Sequence, residues 1–243
     1  LLPLFPAAKE INPWIVRWKY LRPRAPHVFR TDGRNEKTFH IGYASYEEAV
    51  CLYNLAKPFA GKPALEIGSY FGWTSAHLRA AGLRLTHVDI AFDSAERVKA
   101  IREVLDAVPS DEPYTLSPDP SPGCVSDLAA DAKEPWSFAF IDGNHDGTAP
   151  ADDARAVMPH MADDAMVVFH DLLSPDVHAG LRVFEDAGWQ IRVFNTMQVL
   201  GIAWRGQVEI ADHIADPNVP ILEDPDIAAH SRNWDAPILQ KEI

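Results

Sequence analysis

Two short stretches of this 243-residue chain place titratable side chains directly after apolar runs. The first is FAFIDGNHD, which contains Asp142 and His145, and the second is MVVFHD, which ends in His170 and Asp171. Carboxylate and imidazole groups can move protons near neutral pH and can bind divalent cations. These two stretches are therefore the first candidates for acid–base or metal chemistry.

The apolar runs belong to a series of predicted strands that alternate with predicted helices. The strands are PALEIG, LTHVDI, YTL, FAFID, MVVFHD and a closing pair, IRVF and LGIAWR, with no helix between its members. This pattern predicts an α/β fold, a Rossmann-like, doubly wound and mostly parallel seven-stranded sheet with helices on both faces, whose closing pair could be antiparallel. Ligands of such sheets bind at the carboxyl ends of the strands, where we expect Asp142 and Asp171 to meet.

Two carboxylates and an imidazole at that edge could hold a divalent cation. The oxygens of Asp142 and Asp171 favour Mg²⁺, whereas His170 also tolerates Mn²⁺, Fe²⁺ or Zn²⁺. A bound cation lowers the pKa of a substrate hydroxyl, and His145, with an ordinary pKa of about 6.5, could accept a proton. Other roles are open: Asp171 could cap the next helix, His170 could be a buried hydrogen-bonded histidine, and His145 could be a loop residue without chemistry.

A turn with two glycines follows the first predicted strand, in EIGSYFGWT. Gly68 and Gly72 allow a tight turn and a close approach of the backbone to a ligand. The middle glycine of G-x-G-x-x-G is missing, which argues against a dinucleotide and hence against a nicotinamide-dependent oxidoreductase. The next strand ends in Asp89, about 20 residues on, where an acidic side chain can accept hydrogen bonds from both ribose hydroxyls of a nucleoside.

ALEIGSYFGWTSAHL, followed by LTHVDI, resembles the S-adenosylmethionine site of class I methyltransferases. It resembles in particular the small-molecule O-methyltransferase branch, which includes catechol-type and macrolide-sugar enzymes, over roughly Ser45 to Arg205. The resemblance implies S-adenosyl-L-methionine as the cofactor, with Glu66 near its amino group and Asp89 at its ribose. The cofactor site that it implies consists of Glu66, Gly68, Ser69, Tyr70, Thr74, Asp89, Asp142 and, on the adenine side, Asp119.

FIDGNH and FHD are similar to signatures in the same superfamily. Metal-dependent members carry an Asp after the fourth strand and a pair of acidic or amide ligands after the fifth, which correspond to Asp142, His170 and Asp171. His170 stands where those enzymes usually have Asp or Glu, so it either completes a metal site or marks its loss. In sugar-modifying members, the His three residues after the Asp is the general base, which implies that role for His145.

The resemblance implies an enzyme that methylates a hydroxyl of a small molecule, a secondary metabolite or a sugar, with Mg²⁺ or another divalent metal as the ion such a site could hold. Two alternatives stay open. One is a metal-independent N- or C-methyltransferase on the same scaffold. The other is a non-catalytic nucleoside-binding assembly module, against which the joint presence of Asp142, His145 and Asp171 argues.

Composition and patterning give further expectations about organisation and partners. We predict an arm or lid over 1–43, the methyltransferase domain over 44–206 and an irregular tail over 207–243; the arm or the tail could form homo-oligomer contacts. A formal net charge of −13 would repel a phosphate backbone, so nucleic acid is not expected as a partner. Two cysteines indicate a reducing compartment, hence the cytoplasm, and the short, proline-containing LLPLFPAA predicts neither a signal peptide nor a membrane span.

Two predicted helices begin with acidic residues. In SYEEAVCLYNLAKPF, Ser45 is the expected N-cap with Glu48 three residues on as its capping partner, and the helix should stop near Pro58. In DDARAVMPHM, Asp152 and Asp153 are predicted in the first turn, where they favour the positive end of the helix dipole. Neither aspartate is assigned a catalytic role.

Overall fold

The computed structural model describes residues 28–31, 37–41, 44, 46–70, 72–172, 174–194, 196 and 198–213. Most of the expected arm and tail, and Ser45, lie outside these residues, so the expectations for them stay predictions. None of the described helices has both the length and the hydropathy needed to cross a membrane.

The described elements follow the predicted alternation closely. A two-stranded antiparallel sheet of β1 (Val28–Thr31) and β2 (Lys37–Ile41) precedes the main fold. The main fold consists of α1 (Tyr46–Ala56), β3 (Pro63–Ile67), α2 (Trp73–Ala80), β4 (Arg84–Val88), α3 (Ala95–Ala107), β5 (Tyr114–Ser117), α4 (Val125–Asp131), β6 (Trp136–Ile141), α5 (Ala149–Val157), β7 (Met161–Phe169), α6 (Pro175–Asp186), β8 (Gln190–Phe194) and β9 (Leu200–Arg205). Short 3₁₀ helices at Lys57–Phe59, Ile90–Asp93 and Met158–His160 connect some of these elements.

The seven strands β3 to β9 form one sheet in the order β5-β4-β3-β6-β7-β9-β8. Strands β3 to β7 pair in parallel, whereas β9 runs antiparallel to both of its neighbours. The predicted fold class is confirmed, including the antiparallel closing pair β8–β9. That pair needs no helical crossover because antiparallel neighbours can be joined by a short loop.

The core lies on both faces of this sheet, and β6 shows why its sequence is an unbroken apolar run. All six residues of β6 are buried. Phe138 and Phe140 pack in the cluster that includes α1 and α2, whereas Ala139 and Ile141 pack in the cluster that includes α4, α5 and α6. Because successive side chains point to opposite faces, a strand covered on both sides must be apolar throughout. The polar residues after Ile141 therefore begin where this cover ends.

Candidate cofactor and catalytic site

A cavity of about 530 Å³ lies at the carboxyl ends of β3, β4 and β6. Seven of the residues predicted for the site line it: Gly68, Ser69, Tyr70, Thr74, Asp89, Asp142 and His145. Ala44, ahead of α1, also lines it, and the indole nitrogen of Trp73 donates to the Ala44 carbonyl oxygen at 2.9 Å. The loops after three neighbouring strands and the approach to α1 therefore share one cavity.

Gly68 has a structural reason for its lack of a side chain. Its φ is +91°, and a Cβ built there would lie 2.0 Å from the backbone oxygen of Asp142. The Asp142 amide donates to the Ile67 oxygen at 2.9 Å, and the Gly68 amide donates to the Val88 oxygen at 2.9 Å. The ends of β3, β4 and β6 are thus held together at the cavity, in a contact that only glycine allows.

Asp89 is held at the end of β4 by backbone donors from both sides. The Tyr70 amide donates to Oδ2 at 2.7 Å, and the Ala91 amide donates to Oδ1 at 2.8 Å. Tyr70 has a positive φ of 45°, a conformation that costs a non-glycine residue on the order of 1–3 kcal/mol. A carboxylate oxygen accepts more than one hydrogen bond, so Asp89 keeps acceptor capacity toward the cavity.

Glu66 lies beneath the cavity rather than in its wall. Its side chain is fully buried, and the hydroxyls of Ser69 and Thr74 donate to it at 2.8 and 2.7 Å. The Ser75 hydroxyl also donates to it, and His87 Nδ1 lies 2.6 Å from Oε2. A buried carboxylate requires several such partners. Glu66 does not line the cavity, whereas its hydrogen-bond donors Ser69 and Thr74 do, and its contact with a ligand's amino group stays a prediction.

The loop after β5 contributes different residues from the one expected. Asp119 is exposed and does not line the cavity, whereas Pro120 and Ser121 do. The backbone of Asp119 contacts another residue of the same loop, since its carbonyl oxygen accepts a hydrogen bond from Cys124 Sγ at 3.4 Å. Proline-rich LSPDPSPGC carries no pattern that would have singled out Ser121.

Asp153 is buried behind this cavity, and the sequence did not indicate its burial. Asp152 lies in the first turn of α5 and pairs with Arg155 at 2.8 Å, but Asp153 follows that turn and is only 2% exposed. Its Oδ1 has no hydrogen-bond partner among the described residues. Burial raises the pKa of Asp153 to about 6. The charge of Asp152 adds to this rise, whereas a hydrogen bond from Ser121 opposes it. The prediction of a dipole-facing pair is wrong for Asp153.

Asp142, His145, His170 and Asp171 lie together at the ends of β6 and β7. His145 Nε2 is 3.2 Å from Asp142 Oδ1, and His145 Nδ1 is 3.4 Å from Asp171 Oδ2. His170 Nδ1 is 3.3 Å from the same oxygen of each aspartate. Each imidazole therefore lies between the two carboxylates, but only Asp142 and His145 of this cluster line the cavity.

Glu48 extends this cluster into α1 and was missed as a site residue. Its side chain is fully buried, and its Oε2 lies 3.4 Å from His170 Nε2. Its Oε1 accepts from the Thr196 hydroxyl at 3.0 Å and from the backbone N–H of Gln198. The sequence assigned Glu48 to a capping pair, whereas these contacts direct its carboxylate inward. No local pattern could reveal them, since His170 is 122 residues away along the chain.

Neighbouring carboxylates raise the pKa of both imidazoles. Burial alone would lower the pKa of His170, but the charges of Asp171, Asp142 and Glu48 raise it well above its ordinary value. Burial alone would also lower the pKa of His145. The hydrogen bond and charge of Asp142, together with the charge of Asp171, raise it instead. For Asp142, burial would raise the pKa, but His170 and His145 lower it below its ordinary value.

Asp142, His170 and Asp171 offer a donor set that fits a divalent cation. One ligand atom each from Asp142, His170 and Asp171 lies within 4.8 Å of the other two. Ligands about 2.1 Å from a shared ion stand roughly 3 to 4 Å apart. The 3.3 Å between His170 Nδ1 and an oxygen of each aspartate lies within this range. Two carboxylate oxygens and an imidazole nitrogen are also a chemically suitable set for Mg²⁺, Mn²⁺ or Zn²⁺.

Comparisons with known proteins agree with this architecture. Residues 65–172 match the family model of a methyltransferase domain, and no curated protein matches the chain. An O-methyltransferase from Bacillus cereus, solved with SAH, has a TM-score of 0.54 at 13% identity, over 67% of this chain and 83% of that one. A putative O-methyltransferase from Klebsiella pneumoniae has a TM-score of 0.56 at 16% identity, over 69% and 83%.

A precorrin-6y C5,15-methyltransferase from Geobacter metallireducens is similar to the same extent, with a TM-score of 0.55 at 15% identity, over 74% of this chain and all of that one. At such identities, structural similarity shows the fold alone. The chain thus has the Rossmann-like fold of class I S-adenosylmethionine-dependent methyltransferases, and its residues 65–172 carry the sequence pattern of a methyltransferase domain.

Proposed function

We propose that this protein is an S-adenosylmethionine-dependent methyltransferase that acts on a hydroxyl of a small molecule, with His145 as the general base. The observation that carries the proposal is the shared cavity, in which Asp89 and the pair of Asp142 and His145 flank Gly68 on neighbouring strand ends. An acceptor for ribose hydroxyls and a proton acceptor thus face the same space.

The cavity supports a nucleoside cofactor on one side. Its volume of about 530 Å³ lies within the usual range of small-molecule sites. Asp89 would accept from the ribose, and the loop from Gly68 to Tyr70 would surround the methionine part. Pro120 and Ser121 would take the adenine side in place of Asp119.

Methyl transfer to a hydroxyl requires alignment and the removal of one proton. The acceptor oxygen attacks the methyl carbon as the carbon–sulfur bond breaks; the sulfur leaves as a neutral thioether, and the hydroxyl proton goes to the base. His145 lines the cavity, and its ring is held by Asp142 at Nε2 and by Asp171 at Nδ1. It would accept the proton as the neutral imidazole, and because these carboxylates raise its pKa, that form would prevail at higher pH than for a free histidine. Asp142, His170 and Asp171 would hold a divalent cation, which when bound would lower the pKa of the acceptor hydroxyl.

The acceptor class is proposed from the charge of the protein. With a net charge of −13, the surface favours neutral or cationic acceptors over phosphorylated ones, so we propose a secondary metabolite or a sugar. A metal-independent C- or N-methyltransferase is the second candidate. It is favoured by the similarity to the precorrin enzyme, whose name states methylation at carbon.

Calorimetry tests the cofactor. We expect S-adenosylhomocysteine to bind and NAD to give no heat, and binding of NAD alone would contradict the proposal. Methyl transfer to a panel of hydroxyl compounds, with EDTA and then Mg²⁺ or Mn²⁺, tests the reaction. Inhibition by EDTA and recovery with metal support the first candidate, whereas indifference to both would favour the second.

A further inference from the structure

Glu48 connects the acid and imidazole cluster to α1, outside the 65–172 segment that matches a methyltransferase domain. We propose that Glu48 is a positioning residue that fixes the His170 ring with Nδ1 turned toward Asp142 and Asp171. In this position His170 presents Nδ1 to the cation that these residues would hold. The inference rests on the cation site of the proposed function.

The orientation of the Glu48 carboxylate is set by its partners. Thr196 and Gln198 both donate to Oε1, which directs Oε2 to His170 Nε2 at 3.4 Å. All of these groups lie in the interior, with Glu48 fully buried and His170 3% exposed. The loop between β8 and β9 and the helix α1 therefore hold the carboxylate from two sides.

The partners of His170 fix which of its nitrogens faces the cluster. Nε2 faces the Glu48 carboxylate, which can only accept, so Nε2 would keep its proton and donate when a cation replaced the proton on Nδ1. Nδ1 faces one oxygen of Asp142 and one of Asp171, each at 3.3 Å. Metal-binding histidines usually donate their second ring N–H to a carboxylate or carbonyl, which fixes the tautomer and the ring orientation. Glu48 has the position of that second partner.

Glu48→Gln would reverse this arrangement without changing the size of the side chain. The amide oxygen would continue to accept from Thr196 and Gln198, which places the amide nitrogen opposite His170 Nε2. To bind a cation through Nδ1, the His170 ring must carry its single proton on Nε2. An amide N–H would oppose that proton, and the alternative, a ring with its proton on Nδ1, cannot bind a cation through that nitrogen.

The test measures Mn²⁺ binding to the metal-stripped protein by electron paramagnetic resonance. Glu48→Gln should weaken Mn²⁺ binding by on the order of 10- to 100-fold. Glu47→Gln is the matched control, because Glu47 precedes Glu48 on α1 but contacts His213 at 3.1 Å instead of the cluster. We expect its Mn²⁺ affinity to equal that of the wild type. Equal affinities in Glu48→Gln and the wild type would overturn the inference.

A crystal structure of each metal-free protein separates this inference from the cation site itself. In Glu48→Gln the amide N–H that faces His170 Nε2 should turn or displace the ring, so that Nδ1 no longer lies 3.3 Å from Asp142 and Asp171 as it does in the wild type. An unchanged ring in both proteins would refute the role of Glu48. Absence of Mn²⁺ binding by the wild type would instead refute the proposed cation site, and the ring position would still test Glu48.

Thr196→Val is a second variant in case Glu48→Gln does not fold. It removes one donor to Glu48 Oε1 and leaves the carboxylate in place. We expect a smaller loss of Mn²⁺ affinity, of severalfold. The thermal unfolding midpoint in EDTA should fall as well, because the Leu200 amide loses its acceptor, the Thr196 hydroxyl at 3.1 Å. Unchanged affinity would count against the inference.

Discussion

Asp153→Asn should make the free energy of unfolding less sensitive to pH. The Asp153 carboxyl is 2% exposed, and its burial raises its pKa from 3.8 to about 6. Between these two values the folded protein binds the proton more tightly than the unfolded chain does, so stability falls as the pH rises. Below about pH 3.8 Asp153 is protonated in both the folded and the unfolded protein, and above about pH 6 the full loss of stability is present.

The magnitude follows from the size of the shift. A difference of about two pH units corresponds to about 3 kcal/mol, at 1.36 kcal/mol per unit. An asparagine has no proton to lose at this position. At pH 4 part of this loss is already present, so the stability of Asp153→Asn relative to the wild type should rise by roughly 2 kcal/mol between pH 4 and pH 7.5.

Urea unfolding of both proteins at the two pH values measures this difference. Other titrating groups, including those of the cation site, are common to both proteins and cancel in the comparison. Asp152→Asn is the control, because Asp152 is partly exposed and pairs with Arg155 at the surface. Its effect should stay below about 1 kcal/mol at either pH. An equal stability difference at pH 4 and pH 7.5 for Asp153→Asn would refute the desolvation of Asp153.

Three substitutions test the cavity. Gly68→Ala should lower the free energy of unfolding in urea by on the order of 3 kcal/mol, since its Cβ would meet the Asp142 backbone. Gly147→Ala is the control, because Gly147 has a positive φ but open space around it, and its substitution should cost about 1 kcal/mol. Equal losses in the two variants would contradict the contact between Gly68 and Asp142. Asp89→Asn should weaken S-adenosylhomocysteine binding in calorimetry by on the order of tenfold, because the amide has fewer acceptor sites; unchanged affinity would move the ribose elsewhere. His145→Ala should keep that affinity while turnover falls on the order of a hundredfold or more, and equal loss of both would indicate a structural role.

The fold could be predicted because its cause is repeated along the chain. Burial on both faces made FAFI apolar throughout, and the same pattern recurs in MVVF. Once the sheet was predicted to be parallel, the residues after each strand had to share one edge. This reasoning is sufficient to place Asp142 near Asp171, since β6 and β7 are neighbours.

The sequence could not reveal which acidic residues are buried. Glu48, Glu66 and Asp153 occupy positions where a surface or ligand-facing acid was equally compatible with the local pattern. Their burial depends on partners from other elements, such as the loop before β9 for Glu48 and His87 of β4 for Glu66. Helix and strand periodicity describe the apolar face of one element, but they do not show whether a distant donor compensates a charge.

The backbone contact between Gly68 and Asp142 has a mechanical consequence for ligand exchange. The amides of Gly68 and Asp142 cross-link the ends of three adjacent strands, so this side of the cavity should behave as one stiff body. A cofactor cannot leave by separating those strands. Passage would have to involve walls outside the sheet, which include the approach to α1 at Ala44, the loop at Pro120 and Ser121, and the loop at Asn144. We therefore expect slow amide hydrogen exchange at Gly68 and Asp142, and faster exchange at Asn144 that cofactor binding suppresses.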